Sequence, residues 1–292
     1  MSFLDEIGTA TRTGLTPAAK VKAHARPFIR CMGGKWRLRE QLDGFLPRRS
    51  TYVEPFIGGG AMFFHVHATR RPARVVLNDV DTSLMHLYAE VRDRPKELHA
   101  EADALMQRYV EAPEVTYYAL RNEWNWRSRS PALNLMLRAT CFNGLWRENA
   151  DGKMNSPWRR DAKNNLVTLE RLLACSAALA GVSLLNASFE DVMQETADAL
   201  VYCDPPYVDA ETKYVAGGFS LDRFIDLLKA CAEAEARGCF VVMSNHDRPV
   251  VRDLVGVYWP TAVVSTIMAP RSINSDGTRR QKVPEVVVCS PR

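Results

Sequence analysis

The chain has 292 residues, 47% hydrophobic and 25% charged, with a net charge of +4, an ordinary globular composition whose length suits one large domain or one domain with an insertion. Its first residues lack a basic start followed by an apolar core, and no apolar run approaches membrane-spanning length, so neither a signal peptide nor a membrane contact is expected. Seven scattered cysteines include no C-x-x-C pair, which argues against a disulfide framework or a zinc site and for a reducing cytoplasm; no metal is expected, and a monomer is.

Residues 1–24 are polar without a clear period and are expected to form a loose N-terminal tail. Strands are predicted at 51–56, 73–80, 182–188, 199–204, 239–246, 261–266 and 284–290. Most are continuous apolar runs, as in strands covered on both faces. Helical patterns lie between them at 35–46, 60–70, 82–93, 221–237 and 248–254. Strand–helix alternation implies an α/β fold with a doubly wound sheet.

The alternation breaks from about 95 to 175, where helical patterns at 97–110, 114–127 and 131–140 lead into the polar, aromatic stretch CFNGLWRENADGKMNSPWRR. Asp151-Gly152 predicts a hairpin within it. Residues 25–95 and 176–292 are therefore read as one α/β body, and 96–175 as an inserted helical module. Ten Lys or Arg against five acids between Arg121 and Arg171 give that segment +5, leaving −1 for the rest. A basic segment on a near-neutral body suits a polyanion, although a solvated basic face accounts for the charge equally well.

Two corners carry the chemistry. YVEPFIGGGAMFF reads as a strand, a glycine turn (Gly58, Gly59, Gly60) and a helix, a geometry that lets a ligand approach helix N-terminal amides. Asp79, about 20 residues further on, stands where Rossmann-like sites place an acid on ribose hydroxyls. Alone, this pair means a ribose-bearing ligand or a mere tight turn. The second corner ends the apolar run Leu200-Val201-Tyr202-Cys203 in Asp204-Pro205-Pro206-Tyr207. The prolines fix φ and donate no hydrogen bonds. Asp204 and a neighbouring carbonyl are then available as two acceptors for one amino group, and Tyr207 offers a flat face beside them. Such acceptors favour a pyramidal nitrogen with its lone pair aimed at an electrophile.

Together, EPFIGGG, DPPY and the stretches FIRCMGGKWRL, VLNDVDTSLMHLY, FNGLWRENADGKMNSPWRR, VVMSNH and RSINSDGTRRQKVPEV resemble the Dam-type, alpha-class (D12) DNA adenine methyltransferases, in the family's order from about residue 26 onward. The resemblance implies a Rossmann-like, seven-stranded, mostly parallel methyltransferase sheet with an inserted helical target-recognition domain. It implies S-adenosylmethionine as cofactor, and methyl transfer to the exocyclic amino nitrogen of a flipped adenine in double-stranded DNA. GATC is the expected site, and restriction–modification a possible setting. By position, it assigns Cys31, Lys35, Phe56, Gly58, Gly60, Asp79, Phe189 and Asp204 to the cofactor. Asp204, Pro205, Pro206 and Tyr207 fall to catalysis, with Tyr207 stacking on the target base. One departure is Cys31, where relatives carry Trp.

The same resemblance places Arg30, Phe142, Asn143, Leu145, Arg147, Arg159 and Arg160 on DNA. Phe142 is the expected intercalating ring and Arg147 the guanine reader, by the commonest bidentate contact. Arg159, Arg160 and Lys163 are expected on phosphates. Trp124, Trp126 and Leu135 fit core positions better than DNA contacts; His65 and His67, two apart on a helix, point to different faces and make a poor metal pair, and His246 is expected to be structural. From the residues alone, a nicotinamide-dependent oxidoreductase accounts for the glycines and Asp79 but gives DPPY no role. A non-catalytic DNA binder leaves the intact DPPY unexplained. Cytosine amino groups and RNA are neighbouring substrate classes.

Overall fold

Val75-Val76-Leu77, Leu200-Val201-Tyr202-Cys203 and Val286-Val287-Val288 are apolar at every position, so strands built from them need cover on both faces. The computed structural model, which describes residues 25–160, 165–207, 219–270 and 282–292, supplies that cover. Seven strands form one sheet: β1 (Thr51–Glu54), β2 (Arg74–Asn78), β3 (Ser183–Leu185), β4 (Leu200–Cys203), β5 (Phe240–His246), β6 (Val263–Pro270) and β7 (Lys282–Cys289). Their order is β3-β2-β1-β4-β5-β7-β6, and only β7 runs antiparallel to its neighbours. All seven predicted strands are present, as is the predicted mostly parallel sheet.

Alternate side chains of each strand enter opposite cores. Leu77, Leu200, Tyr202, Val242 and Val287 join one cluster with α2 (Ala61–Arg70), α3 (Thr82–Asp93) and α7 (Leu169–Leu179). Val76, Val201, Cys203, Val241 and Val286 join the other with α8 (Phe189–Gln194), α9 (Leu221–Ala236) and α10 (Pro249–Tyr258). Helices begin at polar caps that satisfy otherwise unpaired N–H groups. Asp81, Ser130, Thr168, Ser188 and Ser220 each accept a backbone bond at the start of the helix that follows.

The segment at 35–46 is not one helix. A 3-10 turn at Lys35–Arg37 precedes the short α1 (Arg39–Asp43), because Lys35 is drawn inward by buried anions described below. Helices α7 and α8 were missed in the sequence; α8 follows its strand after only three residues, and α7 spans positions 175 and 176. Helices α4 (Pro95–Glu111), α5 (Pro113–Trp126) and α6 (Pro131–Thr140) build a third cluster, centred on Tyr117, Trp124 and Met136, while Leu98, Ala102, Ala132 and Leu135 of α4 and α6 join the first. The hairpin forms with Glu148 bridged to Met154, and Gly152 takes φ +68° at its tip. Met154 closes the third cluster from that side. The N-terminal tail, Lys163 and most of the stretch 271–286 lie outside the described residues.

Candidate active site

The order of the sheet reverses between β1 and β4, which lie side by side with Tyr52 against Leu200. Open α/β sheets bind ligands at such a switch, beyond the strands' carboxyl ends. A cavity of about 620 Å³ opens there, and both corners read from the sequence face it. Gly58 takes φ +45° with nothing near its absent side chain, so it presents bare backbone to the cavity. Gly60, expected on the cofactor, instead lies beneath it. Its φ is +70°, and a Cβ there would sit 2.6 Å from Tyr88 Oη, so its role is packing. Asp79 accepts from Gly58 N at 3.0 Å and from Asp81 N at 3.1 Å, which ties the second strand's end to the glycine turn. Burial nevertheless raises its carboxyl above the usual range.

Phe56, Phe189 and Phe219 form an aromatic wall, with neighbouring centroids 5.3 to 6.0 Å apart. Glu54 is a third acid on the cavity. It is fully enclosed and accepts from Tyr52 Oη at 2.7 Å, and burial pushes its carboxyl well above the usual range. Cys31 also lines the cavity, and burial pushes its thiol to about 11, so it is uncharged at neutral pH.

At the second corner, Asp204 is held by two donors on one oxygen. Lys35 Nζ lies 3.0 Å from Oδ1, and Ser244 Oγ donates to the same atom at 3.1 Å. Ser244 has one proton, so Tyr202 Oη, 3.0 Å from Ser244 Oγ, donates to it. Oδ2 receives no hydrogen bond from the described residues, and Asp204 borders the cavity. Burial raises the Asp204 carboxyl despite the opposing charge of Lys35. The Lys35 ammonium responds the other way. Burial lowers its affinity for the proton, but Asp204, Tyr207 and Glu285 outweigh that and hold it above the ordinary lysine value. Lys35 is only 2% exposed, and it borders the cavity chiefly as a partner of the acid–proline corner. Tyr207 stacks on His246, with centroids 3.6 Å apart and planes 19° apart, and Lys35 Nζ lies 4.6 Å from its ring centroid; the ring also borders the cavity. Pro205 and Pro206 also line the cavity.

The structure brings Arg30 and the Phe142–Gly144 turn together: a Cβ on Gly144 would sit 2.8 Å from Arg30. Asn143 adopts a left-handed φ of +52° and is exposed, and Phe142 beside it is 44% exposed rather than core. Leu145 is partly buried. Arg147 lies exposed on the hairpin, its Nε donating to Asn155 Oδ1 at 2.6 Å. Arg160 is exposed, but Arg159 is not. Its backbone N–H bonds the Thr140 carbonyl, and the side chain turns inward to 7% exposure, which removes it as a surface phosphate contact. Trp124 and Leu135 are core, whereas Trp126 is 65% exposed beneath Lys153 Nζ.

The sequence reading gave no role to Glu54, Arg138, Ser244 or Glu285. Arg138 is buried in α6, where it pairs with Asp81 at 2.7 Å and fastens the inserted module to the body. The signal in each case is a polar residue inside an apolar run.

A profile of the D12 class N6 adenine-specific DNA methyltransferases matches residues 32–261. The chain belongs to this family. It is 31% identical over 272 residues to the DNA adenine methylase of Escherichia coli strain K12, covering 90% of this chain and 94% of that one. The type II methyltransferase M1.LlaDCHI of Lactococcus lactis subsp. cremoris is 29% identical over 286 residues, covering 92% and 96%. The type II methyltransferase M.MjaIII of Methanocaldococcus jannaschii is 28% identical over 278 residues, covering 88% and 95%. This D12 methyltransferase therefore acts on DNA at adenine and needs a methyl donor, which displaces the oxidoreductase and the non-catalytic readings. Among its described residues no group of His, Cys, Asp and Glu is arranged to hold a metal, and no helix is long and apolar enough to cross a membrane.

Proposed function

We propose that the enzyme transfers methyl from S-adenosylmethionine to the amino nitrogen of an adenine extruded from duplex DNA into the Asp204–Tyr207 corner, with GATC as its site. The observation that carries this reading is the asymmetry of Asp204. Its Oδ1 is saturated by Lys35 and Ser244, and its Oδ2, which no described residue bonds, is left to accept from a ligand.

The cavity's chemistry fits the cofactor. Three acids, Glu54, Asp79 and Asp204, suit a ligand that carries sulfonium and ammonium charges. Asp79 suits ribose hydroxyls, the Phe56–Phe189–Phe219 wall an adenine ring, and Gly58 close backbone approach. When bound, that cofactor supplies an electrophilic methyl group. The protein's part is to prepare the nucleophile. Asp204 Oδ2 and a carbonyl of the proline pair accept the two amino hydrogens, which draws the lone pair out of conjugation. Tyr207, which borders the cavity and is backed by His246, holds the ring. Asp204, made more basic by burial, then takes up the surplus proton of the alkylated nitrogen.

A base inside a duplex must leave the stack to reach such a corner. Phe142 and Asn143, exposed beside Arg30, fill the vacated space, and Arg147 reads a guanine. Arg160 grips phosphate. GATC rests on the motif resemblance alone. Sequencing DNA from cells that express the protein, and mapping the methylated adenines, tests the whole reading with Asp204→Ala as control. Methyladenine at GATC in the wild type alone is expected. Methylation at another sequence replaces the site and keeps the mechanism; full methylation by Asp204→Ala overturns the mechanism.

A further inference from the structure

Glu285 stands on β7, where it pairs in register with His246, the residue stacked on Tyr207. Its strand continues Val286-Val287-Val288, all buried, and Glu285 itself is 5% exposed. An acid in such a setting costs free energy unless it is paired. Its partners are Tyr207 of the acid–proline corner, by a hydrogen bond, and Lys35, by an ion pair at Oε2, which has no hydrogen-bond partner among the described residues. Tyr207 Oη donates to Oε1 at 2.9 Å, and Lys35 Nζ lies 3.4 Å from Oε2. Lys35 Nζ also donates to Tyr207 Oη at 2.8 Å and pairs with Asp204 Oδ1. The hydroxyl of Tyr207 is thus held from two sides, as donor to Glu285 and acceptor from Lys35. Among the described residues, the cluster brings one ammonium side chain against two carboxyl groups. With Asp204 alone, the Lys35 charge would fall wholly on the carboxylate that must accept the amino group, and so weaken it. A second carboxylate on the same ammonium divides that charge.

We infer that Glu285 is a positioning residue for methyl transfer, clamping the Tyr207 hydroxyl and sharing the Lys35 charge so that Asp204 remains a strong acceptor. The inference rests on reading Asp204 as that acceptor. Among the described residues, the groups that face Asp204 are Lys35 from the 3-10 turn, Glu54 from β1, Tyr202 and Cys203 from β4, Ser244 from β5, Glu285 from β7, Tyr207 of the same corner and Cys31. Of these, Glu285 is the anion that contacts the same ammonium.

The test is single-turnover methylation of duplex DNA with S-adenosylmethionine, across about pH 5 to 9, by the wild type, Glu285→Gln and Glu285→Ala. Glutamine keeps an acceptor for Tyr207 and removes the charge; alanine removes both. Both variants should move the acid limb of the rate to lower pH, because Lys35 then acts fully on Asp204. Glu285→Ala should also lose roughly 10- to 100-fold in plateau rate, the worth of a hydrogen bond within a charged cluster, and Glu285→Gln should recover part of it. The KM for DNA should hardly change. An acid limb that stays in place in the glutamine variant overturns the inference, and so does an alanine variant as fast as the wild type. Should Glu285→Ala fail to fold, the isosteric glutamine variant carries the pH test alone. A wild type that methylates no adenine would instead overturn the proposed function, so the two failures are distinct.

Discussion

The acid–proline corner and the exposed Phe142–Gly144 turn are held in different ways. Asp204 is fixed by residues from a 3-10 turn, β4 and β5, and Tyr207 by that same turn, β5 and β7. These partners sit in the sheet and its two large cores. Phe142, Asn143 and Arg147 stand on a module whose own core is a single small cluster, and their side chains face outward. The two regions meet through one short stretch, in which Arg30 packs on Gly144 while Lys35 binds Asp204. On the proposed function, chemistry that tolerates little displacement sits on rigid elements, and recognition that must meet a deformable duplex sits on a smaller platform.

Asp204→Ala breaks the rigid side most sharply. It should cost at least about 10²- to 10³-fold in methylation rate, as expected for loss of a preorganised charge-handling group. Binding of S-adenosylmethionine, measured by calorimetry, should largely survive. The wild-type rate carries the same signature in pH. Burial raises the Asp204 carboxyl, so its active ionised form is present at high pH and is lost as pH falls through a value above the ordinary aspartate range. A rate flat through that range would remove Asp204 as the acceptor.

Trp124→Ala attacks the platform instead. Trp124 is 1% exposed at the centre of the module's cluster, so truncation should destabilise by about 3–5 kcal/mol, seen as a lower denaturation midpoint. Its effect on DNA binding should exceed its effect on cofactor binding, because the cavity is built from the other two cores.

Next in size are the exposed residues proposed to meet DNA. Phe142→Ala should weaken the productive DNA complex by about 1–3 kcal/mol, the value of one aromatic stack. Arg147→Ala should relax preference at one base pair by about 1–3 kcal/mol while leaving the rate on the best site nearly intact. Unchanged site preference in methylation maps would remove Arg147 from the reading set.

Legibility in the sequence follows the same division. The strands were visible because most are continuous apolar runs, and the Asp204 corner because prolines mark a rigid turn. Glu285 was not, since nothing local says that β7 inserts antiparallel between β5 and β6 and carries its acid back to Lys35. Arg159 was misplaced for a related reason. It sits in a basic run beside Arg160, but the chain pairs near it, Cys141 with Trp158, and turns its side chain inward while Arg160 faces out. Charge counts do not record direction.

Trp126 gives the smallest expected effect and the finest contrast. It lies two residues from Trp124 on α5, about 200° around the helix, so the two rings cannot share a face. Helical spacing with Leu135 suggested that both were core, yet only Trp124 reaches the cluster. Trp126 stands exposed with Lys153 Nζ 3.7 Å from its ring centre, a contact worth about 0.5–1 kcal/mol at the surface. Trp126→Ala should therefore change the denaturation midpoint little, several-fold less than Trp124→Ala. Because Lys153 belongs to the hairpin that carries Arg147, the substitution should instead loosen that hairpin. Hydrogen exchange at Asn149 N, which bonds the Lys153 carbonyl, should quicken while exchange in α5 stays slow. Equal exchange in both would show that the ring supports the module's core after all.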